Sequence, residues 1–398
     1  MVDETSLNIG DTVKIKLETW GRLGETKSVY KGRDIFVFGG IPQETVIVEI
    51  IRIQPSYIAA KVIEVVKGDS HRVVPNCKYF GNCTGCQYQH IEYEEQLRIK
   101  KDNLLNTLER VGGLMGLNIR DVIPCKLQYE YRNHARFTVN KEGYLGFMGK
   151  ESRKFVRVNK CLLMSPTINA LLSELTGKCS ETRQLSIRGS SYSKDYLIQP
   201  ALKNSAISIQ SGQKQYTENV QNVPFKVASP SFFQVNNIQL EQIINVIEKK
   251  QLLNTSTTVV DAYSGVGTLA ILLAPLVKYI LGIEDSYAAV KDAEINKGNL
   301  ENIHFIEGKT EIILSELEWL PDVVILDPSR KGCHESGLNN LLAIKPKVII
   351  YVSCDPTTLA RDLKILQSGY VITEIVPVDM FPQTQHLETI TFLEIIYD

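Results

Sequence analysis

Apolar and polar positions alternate with a period of two in the opening stretch of the chain. Val13-Lys14-Ile15-Lys16-Leu17, Asp34-Ile35-Phe36-Val37-Phe38, Glu44-Thr45-Val46-Ile47-Val48-Glu49-Ile50 and Tyr57-Ile58-Ala59-Ala60-Lys61-Val62 each read as a short strand, with Gly21, Gly24, Gly32, Gly39-Gly40 and Pro42 between them. Several short strands so spaced predict a small, OB-like β-barrel over residues 1–67. The period then changes. Tyr93, Leu97, Leu104, Leu108 and Val111 form one apolar stripe, which predicts a helix over 91–111 stopped by Gly112-Gly113. From 129 to 225 the strand rhythm returns, and a hairpin there brings Arg132, His134 and Arg136 onto one face. The segment 68–228 is thus expected to be a central, mostly-β domain.

From 238 onward helix and strand patterns alternate. Leu240, Ile243, Ile244 and Ile247 mark a helix; 257–261, 279–284, 322–327 and 348–353 read as strands; 269–277 reads as a helix; and 371–376 with 389–396 reads as a closing hairpin at one edge. That order predicts an α/β, doubly wound, Rossmann-like parallel sheet over 229–398.

Composition adds two constraints. A chain of 398 residues with 43% hydrophobic content can build two or three cores. The first ten residues are polar and acidic, and the most apolar stretch, 269–283, is interrupted by Pro275 and Lys278. The expectation is a cytoplasmic monomer with no leader and no membrane span. The net charge of −1 hides an asymmetry: residues 1–228 carry 32 Lys+Arg against 23 Asp+Glu, while 229–398 carry 12 against 22. A basic front suits a polyanion such as RNA, and the acidic back is left for chemistry.

Four patterns carry that chemistry. Cys354, in Tyr351-Val352-Ser353-Cys354-Asp355-Pro356, ends a predicted strand, where an open α/β sheet gathers its reactive groups and a thiolate is a strong nucleophile. Asp261-Ala262-Tyr263-Ser264-Gly265-Val266-Gly267 leads from a strand into a helix. Gly265 and Gly267 allow a tight turn and close ligand approach, and Glu284 ends the next strand, where a carboxylate accepts ribose hydroxyls. This pattern fits S-adenosylmethionine or NAD. Asp327-Pro328-Ser329-Arg330 ends another strand, between cofactor and substrate. Finally, Cys77, Cys83 and Cys86 with the distant Cys161 suit an iron–sulfur cluster, whereas three of these thiols with His90 suit zinc. Cys125, Cys179 and Cys333 lack such spacing and read as structural. Gln234 either bonds a polar cofactor group or caps a helix, and Glu388, among apolar residues, is a candidate base.

Together these segments resemble the S-adenosylmethionine-dependent RNA uracil-5 methyltransferases of the TrmA/RlmCD type. The matching runs are Ser231-Phe232-Phe233-Gln234-Val235-Asn236, the 261–267 loop, Leu326-Asp327-Pro328-Ser329-Arg330-Lys331-Gly332, the stretch from Tyr351 through Cys354 to Asp362, and His386-Leu387-Glu388-Thr389. The resemblance implies a TRAM-type barrel and a central domain holding a [4Fe-4S] cluster on Cys77, Cys83, Cys86 and Cys161, with the early helix packed on the catalytic domain. It implies Cys354 as nucleophile, Glu388 as base, and Gln234, Tyr263, Glu284 and Asp327 as S-adenosylmethionine contacts. The implied product is 5-methyluridine in rRNA or tRNA. Asp355 stands where the family commonly has Asn. Cytosine-5 methylation and an NAD-dependent iron–sulfur redox activity are the competing readings.

Overall fold

The computed structural model describes residues 7–83, 85–149 and 152–397. The first six residues, on which the expectation of no leader partly rests, lie outside them. No helix among the described residues is long and apolar enough to cross a membrane.

The opening strands β1 (Thr12–Lys16), β2 (Thr19–Trp20), β3 (Thr26–Tyr30), β4 (Arg33–Phe38), β5 (Thr45–Ile53) and β6 (Tyr57–Lys67) form one sheet in the order β1-β5-β6-β4-β3-β2. The two end strands are consecutive on the chain, so the sheet curls back on itself. Its inward positions, including Ile15, Leu17, Ile35, Val37, Val46, Val48 and Ile50, make a separate small core, the half of the period-two pattern that escapes water.

The helix α1 (Tyr93–Thr107) runs on as a π-turn over Leu108–Gly112 and stops at Gly113, whose φ is +67°. Its buried face differs from the simple apolar stripe, because Gln96 and Lys100 are buried alongside Ile99 and Leu104. Leu104 and Leu108 join the core that covers one face of the large sheet.

The central sheet has the order β11-β10-β7-β8-β9, built from β7 (His134–Val139), β8 (Leu145–Met148), β9 (Phe155–Arg157), β10 (Gln184–Gly189) and β11 (Tyr196–Gln199). The β7–β8 pairing is the hairpin expected from the sequence. One helix, α2 (Pro166–Leu175), which the strand rhythm did not reveal, stands among these strands. The Ser165 hydroxyl caps its first turn, Pro166 starts it, and Ile168, Leu171, Leu172 and Leu175 provide a buried face of helical period. A separate hairpin, β12 (Gln215–Val220) with β13 (Val223–Ala228), turns through Gln221 and Asn222, both at positive φ.

The last sheet has seven strands: β14 (Thr258–Ala262), β15 (Tyr279–Glu284), β16 (Ile303–Glu307), β17 (Val323–Leu326), β18 (Val348–Ser353), β19 (Tyr370–Val378) and β20 (Glu388–Ile395). Their order is β16-β15-β14-β17-β18-β20-β19, with β14 to β18 parallel and β20 antiparallel to both neighbours. Burial follows the pleat. Val259, Ile280, Val323, Ile325, Ile350 and Val352 face α3 (Asn237–Lys249) and α4 (Thr268–Leu273) on one side. Val260, Leu281, Val324, Leu326, Ile349 and Tyr351 face α8 (Pro356–Leu366) and the early helix on the other. Strand order reverses between β14 and β17, which opens a crevice at their carboxyl ends.

Candidate functional site

Two clusters of sequence-predicted residues meet at that crevice. In the first, the loop after β14 turns sharply: Tyr263 has φ +65°, Gly265 +55° and Gly267 +82°. A Cβ on Gly265 would meet nothing within 4 Å, so the loop has open space beside it, whereas a Cβ on Gly267 would come within 2.6 Å of the Phe305 ring. The Glu284 carboxylate braces the turn. It accepts the Gly265 and Ser286 backbone N–H groups, each at 2.9 Å. Asp261 is buried; one carboxylate oxygen accepts the Ala270 N–H at 3.1 Å, and the other has no partner among the described residues. Burial, then the nearby charges of Asp327 and Glu284, push its carboxyl up to about 8.

The second cluster lies between β17, β18 and β20. Ser353 pairs with Thr389 across the β18–β20 ladder, which brings Cys354 and Glu388 together at the ends of adjacent strands. Cys354 is half-buried and Glu388 is 2% exposed. Burial, followed by the Glu388 and Asp327 charges, pushes the Cys354 thiol up to about 12, while Arg330 pulls it back. Burial and Asp327 likewise hold Glu388 well above the usual carboxylate range, again opposed by Arg330. Asp327 is raised by burial and steadied by a hydrogen bond with the Gln234 side chain. Asp355, the departure from the usual Asn, accepts the N–H groups of Thr357 at 2.8 Å and Thr358 at 3.1 Å and so caps α8.

Above Cys354 opens a groove of about 1010 Å³. One wall is the β2–β3 turn of the first sheet, from Trp20 to Gly24; another is α1 and its π-turn, with Arg98, Asn103 and Arg110; the floor includes Arg330, Cys354 and His386. Arg330 and Asp261 were not singled out as site residues by sequence reasoning, although both stand inside motifs it quoted: Arg330 follows Asp327 by three positions, and Asp261 opens the glycine loop.

Cys77, Cys83, Cys86 and Cys161 are all free thiols and near neighbours, since charge on Cys161 or Cys77 raises Cys83 and Cys86. Burial is the larger cause and takes Cys83 up to about 11. No group of three or more His, Cys, Asp or Glu in metal-holding geometry occurs among the described residues. His90 is engaged through one ring nitrogen. Its Nε2 lies 3.1 Å from the Gly40 carbonyl oxygen and its ring packs on Phe80, while its buried Nδ1 has no partner among the described residues. Cys125, Cys179 and Cys333 are buried, in keeping with structural roles.

Comparison with known proteins extends this geometry. A family profile described as tRNA (Uracil-5-)-methyltransferase matches residues 203–396. The chain is 31% identical to an uncharacterized RNA methyltransferase of Clostridium acetobutylicum, with 96% of each chain covered. It is also 31% identical to one from Caldanaerobacter subterraneus, covering 98% of this chain and 99% of that one. Among solved structures it is similar to the Pyrococcus abyssi tRNA (uracil-54, C5)-methyltransferase in complex with S-adenosyl-L-homocysteine. That likeness has 25% identity and a TM-score of 0.73, and it covers 96% of this chain and all of that one.

Proposed function

The chain belongs to the tRNA (uracil-5-)-methyltransferase family, and from that premise we propose that it forms 5-methyluridine in RNA with Cys354 as nucleophile and Glu388 as base. The observation that carries the assignment is the juxtaposition of these two side chains under the groove. Carbon 5 of uracil is a weak nucleophile. The Cys354 sulfur adds to carbon 6, and the ring electrons shift so that carbon 5 becomes enolate-like. S-adenosylmethionine, when bound, supplies the electrophilic methyl. Glu388 then takes the carbon 5 proton, the double bond re-forms, and the sulfur leaves as thiolate. Asp327 accepts the N3–H of uracil; cytosine, with an acceptor at that position, is disfavoured.

The glycine loop fits the cofactor. Open space beside Gly265, the Glu284 carboxylate and the unpartnered oxygen of Asp261 are what a nucleoside with a charged amino-acid tail requires. Gln234, Tyr263 and Gly267 complete the proposed contacts. The basic front half, the TRAM-type barrel over 1–67 and the central domain over 68–228 hold the RNA against the catalytic domain over 229–398. The Pyrococcus abyssi neighbour's tRNA makes tRNA the first substrate to try, with rRNA the other.

Cys77, Cys83, Cys86 and Cys161 would hold a [4Fe-4S] cluster. Four free, half-buried thiols match that donor set, and burial disfavours the anions of Cys83, Cys86 and Cys161. Protein purified without oxygen is expected to absorb broadly near ~400 nm, and a colourless protein would remove the cluster from the proposal. For the reaction, labelled S-adenosylmethionine and total RNA from cells lacking the protein should yield 5-methyluridine. Label in 5-methylcytidine, or none, would overturn the assignment.

A further inference from the structure

Beside the groove lies a second, smaller cavity of about 250 Å³. The two share Leu23, Gly24, Arg330, Gln385 and His386. Its far wall consists of Phe38 and Phe80 with Gln87 and the segment bearing Cys83 and Cys86. Cys354, the proposed nucleophile, lines the groove and not this cavity. At just under the roughly 300–1,000 Å³ of a drug-sized pocket, it suits one heteroaromatic ring rather than a run of nucleotides.

Its lining has the parts that single-stranded RNA recognition uses. Phe38 and Phe80 offer aromatic surface for a base. Gln385 lies between the two cavities; its backbone N–H donates to Gln87 Oε1 at 3.4 Å, but its own Oε1 is buried and has no partner among the described residues. A carboxamide oxygen unmatched within the chain is an acceptor available to a donor from outside it. Arg330 lines both cavities, and a guanidinium so shared can pair with a phosphodiester that joins two adjacent nucleotides.

We propose that this cavity binds the base of a nucleotide next to the target uridine, and that Gln385 selects one carrying an exocyclic amino group, as adenine, cytosine and guanine do, over uracil. The inference rests on the methyltransferase reading above. It gives the cysteine segment a task in substrate choice, since that segment supplies one wall of the pocket.

The test needs no known substrate. A pool of RNA hairpins with 5-fluorouridine in a randomised loop is incubated with S-adenosylmethionine. Sulfur addition and methyl transfer leave fluorine where the departing proton would be, so elimination stops and the protein–RNA bond persists. Sequencing the trapped RNA should show depletion of U relative to A, C and G at one flanking position. Gln385→Leu should flatten that preference by about tenfold while preferences elsewhere in the loop persist. If Gln385→Leu fails to fold, Phe80→Ala serves as the second variant and should weaken the same position. No preference at either flank, or one that both variants retain, overturns the proposal. Absence of any trapped RNA that depends on Cys354 would instead overturn the methyltransferase mechanism, so the two failures are distinguishable.

Discussion

Cys354 and Glu388 end neighbouring antiparallel strands, one step past the Ser353–Thr389 pair, and the charge of Glu388 raises the thiol beside it. The two groups act at different stages, so their loss separates the reaction into halves. Cys354→Ala is expected to lose methylation by at least about 10⁴-fold, as loss of a covalent nucleophile does, with RNA affinity unchanged in a gel-shift titration. Glu388→Gln is expected to accumulate a covalent protein–RNA adduct on a denaturing gel. Turnover by the first variant, or no adduct from the second, would break the assignment.

Both groups react in their deprotonated forms, and burial holds both up. The rate of adduct formation should therefore climb with pH across about pH 6 to 9 and not pass through an acid-side maximum. Arg330 is the cation that lowers both groups. Arg330→Met should move the profile to higher pH and slow the reaction at neutrality. A slower variant with an unmoved profile would mean that Arg330 only holds RNA.

Glycines two positions apart should respond unequally. Gly267→Ala drives a Cβ against Phe305 at a positive φ, whereas the Cβ of Gly265→Ala meets no protein atom but enters the space proposed for the cofactor, beside a backbone penalty of about 1–2 kcal/mol. Thermal unfolding should find the first variant the less stable, and calorimetry should find S-adenosylmethionine binding weakened by the second even where its fold is intact. Unchanged binding by Gly265→Ala would mean that the cofactor lies elsewhere.

Lys100 is buried on α1, with Nζ 2.5 Å from Asp379 and 3.1 Å from the Phe381 carbonyl oxygen. Lys100→Met leaves the Asp379 carboxylate buried without its cation, a loss of about 3–5 kcal/mol in denaturant unfolding. Adding Asp379→Leu should recover much of it. If the double variant is as unstable as the single, packing rather than the ion pair explains the effect.

The parallel sheet was legible because its strands are buried on both faces and read as unbroken apolar runs, as in 348–353. Residues 285–321 were not. The helices α5 (Tyr287–Asn296) and α6 (Thr310–Ser315) are short, and β16 is an edge strand that mixes His304 and Glu307 with its apolar residues, so neither period lasts long enough to register. Cys354 and Glu388, the pair proposed for catalysis, stood out in the motifs, and the β18–β20 register brings them together. The buried polar side of α1 was not readable, because Lys100 is satisfied by Asp379 and Gln96 in part by Gln383, both almost three hundred residues away.

Leu104 and Leu108, contributed from far upstream, complete the hydrophobic layer formed by Leu359, Ala360 and Leu363. The methyl-transferring half is therefore not a portable cassette. A fragment beginning at residue 229 would expose a greasy patch to water and would be expected to clump rather than turn over, and a chimera that keeps this catalytic half must carry residues 93–112 with it.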